Sequence, residues 1–310
     1  MALEAGAFGL AHPIEVKLEL FQHAGSFKPR GAFNALLSGP VPAAGVAAAS
    51  GGNHGAAVAC AAARLGVKAR IFVPAIASQA KVDAIRRFGA EVVIGGARYA
   101  DALAAAQAYV AETGALDVHA YDAHTTLAGQ GTVALEWEEQ TAGLDAVLVA
   151  CGGGGLAAGM AAWWAREPGA PRVVAVEPEG SRCLHAALRA GRPVDVEVES
   201  VAADSLGARR TGELVFAIAR EHVREVALVP DAAIRAAQAA LWRELRVASE
   251  PGGAAALAAL LCGAYRPRPG ERVGVLLCGG NVDLAALSTA LSAALPDALP
   301  DALDGTPGSQ

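Results

Sequence analysis

Four short stretches hold the residue types that could do chemistry, and in each of them glycine frames the reactive group. In GSFKPRGA, Lys28 stands between Phe27 and Pro29, with Gly25 and Gly31 close by. A lysine in a turn-prone stretch is ordinarily just a solvated one. Apolar and glycine neighbours argue for a tight, partly buried site, where desolvation lowers the amine's pKa and frees it as a nucleophile or base. On this stretch alone the solvated reading stays ahead. In SGGNHG, Ser50 to Gly55, an apolar run at 46–49 gives way to an Ala-rich helical pattern. Free amides at a helix start gather anions, and Ser50 and Asn53 add a hydroxyl and an amide suited to a carboxylate or a ring oxygen. His54 on its own is more often a local hydrogen-bonder than a catalyst. CGGGGLAAG sets Gly152, Gly153, Gly154 and Gly155 between a strand-like run and a helix beginning near Leu156. Four glycines are costly to order, yet they let backbone N–H groups approach a phosphate at a helix N-terminus. As a dinucleotide fingerprint the loop fails, with Leu156 and Ala157 where the final glycine is expected, and no P-loop lysine follows. In LLCGGNVD, Cys278 ends an apolar run and reads either as an inert core thiol or as a site group at a strand's carboxyl end. Glu250, just ahead of a helix start in SEPGGAAALAAL, has a capping role and a site role in competition.

These groups need strands that end at one place. The pattern predicts strands at Val67–Pro74, Glu91–Ile94, Ala146–Cys151, Arg172–Glu177, Val223–Val229 and Val273–Leu277. Helices are expected at Gln79–Phe88, Tyr99–Thr113, Leu156–Arg166, Ala232–Leu245 and Gly253–Leu261. Continuous apolar runs such as AVLVAC and VGVLLC mark strands buried on both faces, and their alternation with helices points to parallel crossover units. The class is α/β; strand order is not legible. Of 310 residues, 54% are hydrophobic and 5% aromatic, so the core must be built from close-packed small side chains. A net charge of −6 with scattered Lys and Arg excludes a nucleic-acid groove. No apolar run approaches the ~18 residues of a membrane span, and the N-terminus has no basic region ahead of an apolar one. Five cysteines without a CxxC pair fit reduced thiols in a cytoplasmic protein. Residues 296–310 read as a disordered tail.

Seven segments, in order, carry a resemblance that no single one carries: KLELFQHAGSFKPRGAFNAL, ASGGNHGAAVA, AGQGT, CGGGGLAAG, AVEP, EPGGAAALAAL and LCGGNVD. Together, from Lys17 to Asp283, they resemble the fold-type II pyridoxal 5′-phosphate (PLP) enzymes, in the threonine/serine dehydratase and serine racemase branch. The resemblance implies a two-domain, tryptophan synthase beta-like fold with mostly parallel sheets flanked by helices. A large PLP-binding domain would comprise 1–44 and 123–295, and a small inserted domain 45–122, with closure on substrate excluding water. Lys28 would be the Schiff-base lysine, with Phe27 packed against the cofactor and Asn53 bonded to the ring hydroxyl. Gly152, Gly153, Gly154, Gly155 and Leu156 would cradle the phosphate, and Cys278 would meet the pyridine nitrogen. Ser50, Gly51, Asn53 and His54 would form the substrate loop. A homodimer is the family expectation.

The implied chemistry is α,β-elimination from L-threonine, L-serine or a related β-hydroxy amino acid to a 2-oxo acid and ammonia. A thiol is too weak an acid to keep the pyridine nitrogen protonated, so the ring is a modest electron sink, which favours expelling a β-hydroxyl. Serine racemase has a proton-donating serine two residues before the loop asparagine. Gly51 stands there and has no proton to give, which favours a dehydratase. Glu177 matches a carboxylate of the racemase cation site, but Cys183 falls near the second, so no metal is expected. In ADSLGARR, Ser205 replaces the usual glycine and is expected to alter the ring's opposite face or the substrate range. Residues 1–16 stand where the family has a helix and a threonine-proline strand, which puts activity more than cofactor binding at issue. The chain ends soon after LCGGNVD, so no feedback-regulatory domain is expected. Other readings are serine racemase, a phenylserine or hydroxyaspartate dehydratase, a non-catalytic PLP or amino-acid binder, and a nicotinamide oxidoreductase that would leave Lys28 unexplained.

Overall fold

The computed structural model describes residues 1–293 apart from Glu167; the tail expected at 296–310 lies outside the described residues. The chain opens with β1 (Ala2–Leu3), β2 (Ile14–Leu18) and α1 (Lys28–Leu37). It continues through β3 (Val46–Ala49), α2 (Asn53–Leu65), β4 (Ala69–Val73), α3 (Gln79–Arg86), β5 (Glu91–Ile94), α4 (Tyr99–Thr113) and β6 (Leu116–Asp117). Then come α5 (His124–Gln140), β7 (Ala146–Ala150), α6 (Gly155–Trp164), β8 (Arg172–Pro178), α7 (Cys183–Ala190), α8 (Ala203–Leu206) and α9 (Glu213–His222). Last are β9 (Val223–Val229), α10 (Asp231–Leu245), α11 (Pro251–Leu261), β10 (Val273–Leu277) and α12 (Leu284–Ala293).

Two sheets result. One has six strands in the order β1-β2-β10-β7-β8-β9, and the other has four in the order β5-β4-β3-β6. Every pairing is parallel except that of β1 with β2. The apolar runs that read as doubly buried strands are so: every residue of β7 and β10 is buried. This is the α/β class expected, with strand limits shifted by two residues or fewer. Glu91–Ile94, Val223–Val229 and Val273–Leu277 fall where expected.

The larger core fills both faces of the six-stranded sheet with Val, Ala and Leu from β7, β8, β10, α6, α10 and α11. A second core joins the four-stranded sheet to α1 and α2 through Ala32, Ala35, Leu36, Val46, Ala57 and Ile71. α1 is therefore a joint. Its apolar stripe belongs to the four-stranded half, while the loop before it is strapped to the end of β10. Ser26 forms an antiparallel bridge with Gly279, the Phe27 amide donates to the Cys278 carbonyl (3.1 Å), and Gly280 donates back to Gly25 (2.9 Å). In the six-stranded sheet the chain leaves β7 toward β8 and β9, while β2 lies on the opposite side of β10. Such a reversal opens a crevice at the carboxyl ends of the strands, where α/β folds hold ligands. No helix of the described residues is long and apolar enough to cross a membrane.

Candidate active site

The crevice gathers Lys28, Asn53, Glu250, Cys278 and the glycine loop. Lys28 is the first residue of α1, with Pro29 next to it, where a missing N–H costs nothing. Its Nζ donates to the Ala120 carbonyl (2.8 Å) and lies 5.1 Å from the Phe27 ring centroid. The residue is half-buried. Burial lowers the amine's pKa from 10.5 to about 8, against the opposing pull of Cys278 and Glu250. The lysine that looked merely solvated is thus an amine with a substantial unprotonated fraction near neutral pH.

Across from it, Asn53 opens α2. Its Nδ2 donates to Glu250 Oε1 (2.5 Å), and its Oδ1 accepts from Asn281 Nδ2 (2.8 Å), which also holds the Ala24 carbonyl (2.8 Å). Glu250 sits at the N-cap position of α11, 7% exposed, but its carboxylate makes no capping hydrogen bond and turns to Asn53 instead. Burial raises its pKa to about 7, opposed by the Asn53 hydrogen bond and the Lys81 charge. A Cβ on Gly279 would run into Glu250 Oε1 and displace that carboxylate. Cys278 follows β10, its thiol 3.5 Å from the Gly252 carbonyl. Burial, and then the Glu250 charge, push that thiol well above the usual range, so it stays a neutral S–H.

The glycine loop leaves β7 at Cys151 and turns into α6 through Gly154, whose φ of 89° lies in the left-handed region that glycine tolerates best. Every position is hemmed in. A Cβ on Gly152 would come within 2.9 Å of Leu206 Cα, one on Gly153 within 2.6 Å of the Tyr121 ring, and one on Gly155 within 2.8 Å of Tyr121 Cβ. The first bond of the helix runs from the Ala158 amide to the Gly154 carbonyl (2.9 Å). Helix geometry therefore leaves the preceding amides, Leu156 among them, for an anion.

Two proposed substrate-loop residues have local tasks. The Ser50 hydroxyl accepts from the Gly52 amide (3.1 Å), shaping the turn. The His54 ring is buried with Nε2 2.7 Å from the Val118 carbonyl, which makes Nε2 the protonated nitrogen. Burial, followed by the Lys28 charge, lowers its pKa to about 3, so the ring is neutral. Gly51 lies against the β4–α3 turn, where an added Cβ would be 2.8 Å from Ala77 Cβ. Glu177, the carboxylate matched to a cation site, instead accepts from the Leu184 and His185 amides (2.9 and 2.8 Å). Among the described residues no group of three or more His, Cys, Asp or Glu is placed to hold a metal.

Sequence reasoning passed over the His119–Asp122 stretch. Tyr121 packs on two loop glycines and reaches the Arg210 carbonyl (3.3 Å), while His119 Nδ1 accepts from the Tyr121 and Asp122 amides (3.2 and 2.8 Å). The only hint was position, since VHAYD immediately precedes the α5 segment that contains AGQGT. Asn281, quoted within LCGGNVD, likewise had no role until the fold brought it to Asn53.

The donor set fits PLP: a lysine amine of lowered pKa, amides that no Cβ shields, and a neutral thiol at the next strand end. Comparison with known proteins agrees. Residues 3–279 match the family model described as pyridoxal-phosphate dependent enzyme. The chain is 40% identical over 277 residues to phenylserine dehydratase of Ralstonia pickettii, covering 89% of this chain and 85% of that one. It is 41% identical over 283 residues to the biosynthetic L-threonine dehydratase of Escherichia coli (strain K12), covering 90% of this chain but only 55% of that protein. The processed form of threonine deaminase isoform 2 from Solanum lycopersicum superimposes with a TM-score of 0.84 at 31% identity, over 90% of this chain and 82% of that one. The chain belongs to the pyridoxal-phosphate dependent enzyme family.

Proposed function

We propose that this chain is an ammonia-lyase that converts a β-hydroxy amino acid, serine or threonine foremost, to a 2-oxo acid and ammonia. The observation that carries the reading is the strap between the Lys28 loop and the end of β10, which fixes a low-pKa amine and a neutral thiol on one crevice. Relatives named as threonine and phenylserine dehydratases support the same reaction class.

Lys28 would hold the cofactor through its amine as a Schiff base, with Phe27 against the ring and Asn53 at the ring hydroxyl. The amides of Gly152, Gly153, Gly154, Gly155 and Leu156 would take the phosphate. PLP supplies the electron sink that acidifies the substrate's Cα–H and lets the β-hydroxyl leave. The Lys28 amine would be the base at hand, because a pKa of about 8 leaves a fraction of it able to accept a proton near neutral pH. Cys278 would supply a neutral partner for the pyridine nitrogen, and Glu250 holds Asn53 in place. Ser50, Gly51 and Asn53 would receive the substrate carboxylate at the start of α2, with His54 contributing through its backbone. Racemisation is disfavoured, since Gly51 offers no proton and has no room for a side chain that would.

The two sheets would act as a larger and a smaller domain, the smaller at 45–122, in a cytoplasmic homodimer. Purified protein should show a visible absorbance that borohydride erases and that Lys28→Ala lacks. A panel of serine, threonine, phenylserine and 3-hydroxyaspartate should yield 2-oxo acid and ammonia in equal amounts from at least one member. Absorbance without product from any member would sink the lyase reading and leave a binding protein.

A further inference from the structure

One ion pair crosses the crevice away from the cofactor contacts. Lys81, on α3 of the four-stranded half, has its Nζ 2.8 Å from Asp204 Oδ2, on α8 of the six-stranded half. α8 is only four residues long, yet three separate site loops lean on it. A Cβ on Gly152 of the phosphate loop would meet Leu206, one on Gly252 at the start of α11 would meet the Ser205 hydroxyl, and one on Gly52 would lie 3.6 Å from the Asp204 carbonyl. On the other side, the turn leading into α3 carries Ala77, which packs on Gly51 of the substrate loop. Lys81 to Asp204 therefore ties the turn that seats the substrate loop to the segment that backs the phosphate loop and α11.

We infer that the Lys81–Asp204 pair is the latch that holds the four-stranded half closed on α8, and that it positions the Ser50–Asn53 loop for substrate without touching substrate itself. The pair is a poor stability device: Asp204 is 83% exposed at its side chain, and exposed pairs add little to folding. An open–closed balance is different, because the two states differ by little and a small bias moves their populations directly. The increment of an exposed pair corresponds to up to about a fivefold change in the closed-to-open ratio, which carries through to the closed fraction while that fraction is small. The effect belongs mainly in KM, since the latch acts before chemistry. The kinetic arm rests on the lyase reading above; the exchange arm does not.

The test is a charge-swap cycle with K81A, D204A and the double variant K81D/D204K. Each single variant should raise KM about two- to fivefold with little change in kcat, and the swap should recover most of the loss. E91A, which removes the exposed Arg70–Glu91 pair far from the crevice, should leave KM unchanged. Without added cofactor or substrate, the α3 amides should exchange hydrogen faster in both single variants than in the parent chain, and the swap should slow them again. Loss of activity in K81A alone, unmatched by D204A and not restored by the swap, would show Lys81 binding substrate and overturn the latch. Equal α3 exchange in all four proteins would overturn it as well. If no amino acid is deaminated by the parent chain, the lyase reading falls while the exchange comparison still decides the latch.

Discussion

At the scale of single residues, two titrations that act on one another govern the proposed site. Lys28 is lowered to about 8 by burial, and the Glu250 carboxylate opposes that by favouring the ammonium form. Replacing Glu250 by Gln keeps an oxygen for Asn53 and removes the charge, so the Lys28 pKa should fall further. The amine must be unprotonated to capture the cofactor's aldehyde. The rate of PLP uptake by the apoprotein should therefore rise with pH through about 8 in the parent chain and through a lower pH in E250Q. A midpoint that stays put or moves upward would show that Glu250 does not act on Lys28. The same carboxyl has a stability signature. Its folded-state pKa is raised to about 7 from 4.5, so the folded state binds the extra proton. That contribution is complete below 4.5 and is lost as pH rises through about 7. E250Q should flatten the decline in apoprotein stability across that window, measured by denaturant unfolding at several pH values.

At the scale of elements, the substrate loop is built by what stands behind it. Gly51 faces Ala77 at the start of the α3 turn and Val73 at the end of β4, and a Cβ there would be 2.8 and 3.0 Å from their side chains. Overpacked sites of this kind commonly cost about 1–3 kcal/mol, here taken from the loop proposed to meet substrate. G51S should lose dehydratase activity more than tenfold without gaining racemisation, and G51S/A77G should recover much of it, as followed by 2-oxo acid release and chiral analysis of unreacted serine. Full activity in G51S alone would mean that the turn yields freely. This contact also shows what a sequence can and cannot disclose. Gly51 was legible as lacking a proton, because residue identity suffices for that; Ala77, which denies it a side chain, lies on another element. Long periodic segments such as Tyr99–Thr113 were legible because their pattern is local. The two-residue strands β1 and β6 and the four-residue α8 were not, since pairing and packing rather than propensity hold them. Lys28 and Asn53 were legible only through the order of the seven segments, and the glycine loop through its composition, whereas Tyr121, Asn281 and Asp204 became visible only through what folding brings beside them.

At the scale of the whole molecule, the proposed cofactor site draws on two cores. The six-stranded sheet supplies the glycine loop and Cys278, the four-stranded sheet supplies Asn53, and α1 joins them with Lys28 at its first turn. Ties across the crevice besides α1 include Asn53 to Glu250 and Asn281, Lys28 to the Ala120 carbonyl, Lys81 to Asp204, Tyr121 to the Arg210 carbonyl, and Asp122 to the Glu213 and Val215 amides. A ligand that touches both sides must then stabilise both. At a hundredfold excess over its Kd, a ligand adds about 2.7 kcal/mol, which for a chain of this length corresponds to a rise of about 4 °C in Tm. PLP should produce that shift by calorimetry, and Lys28→Ala a smaller one, because the phosphate nest remains while the covalent hold is gone. Hydrogen exchange should show the added protection in α2 as well as in α6 and β10. Protection confined to α6 and β10 would place the cofactor on the six-stranded half alone, and Asn53 would then be no part of its site.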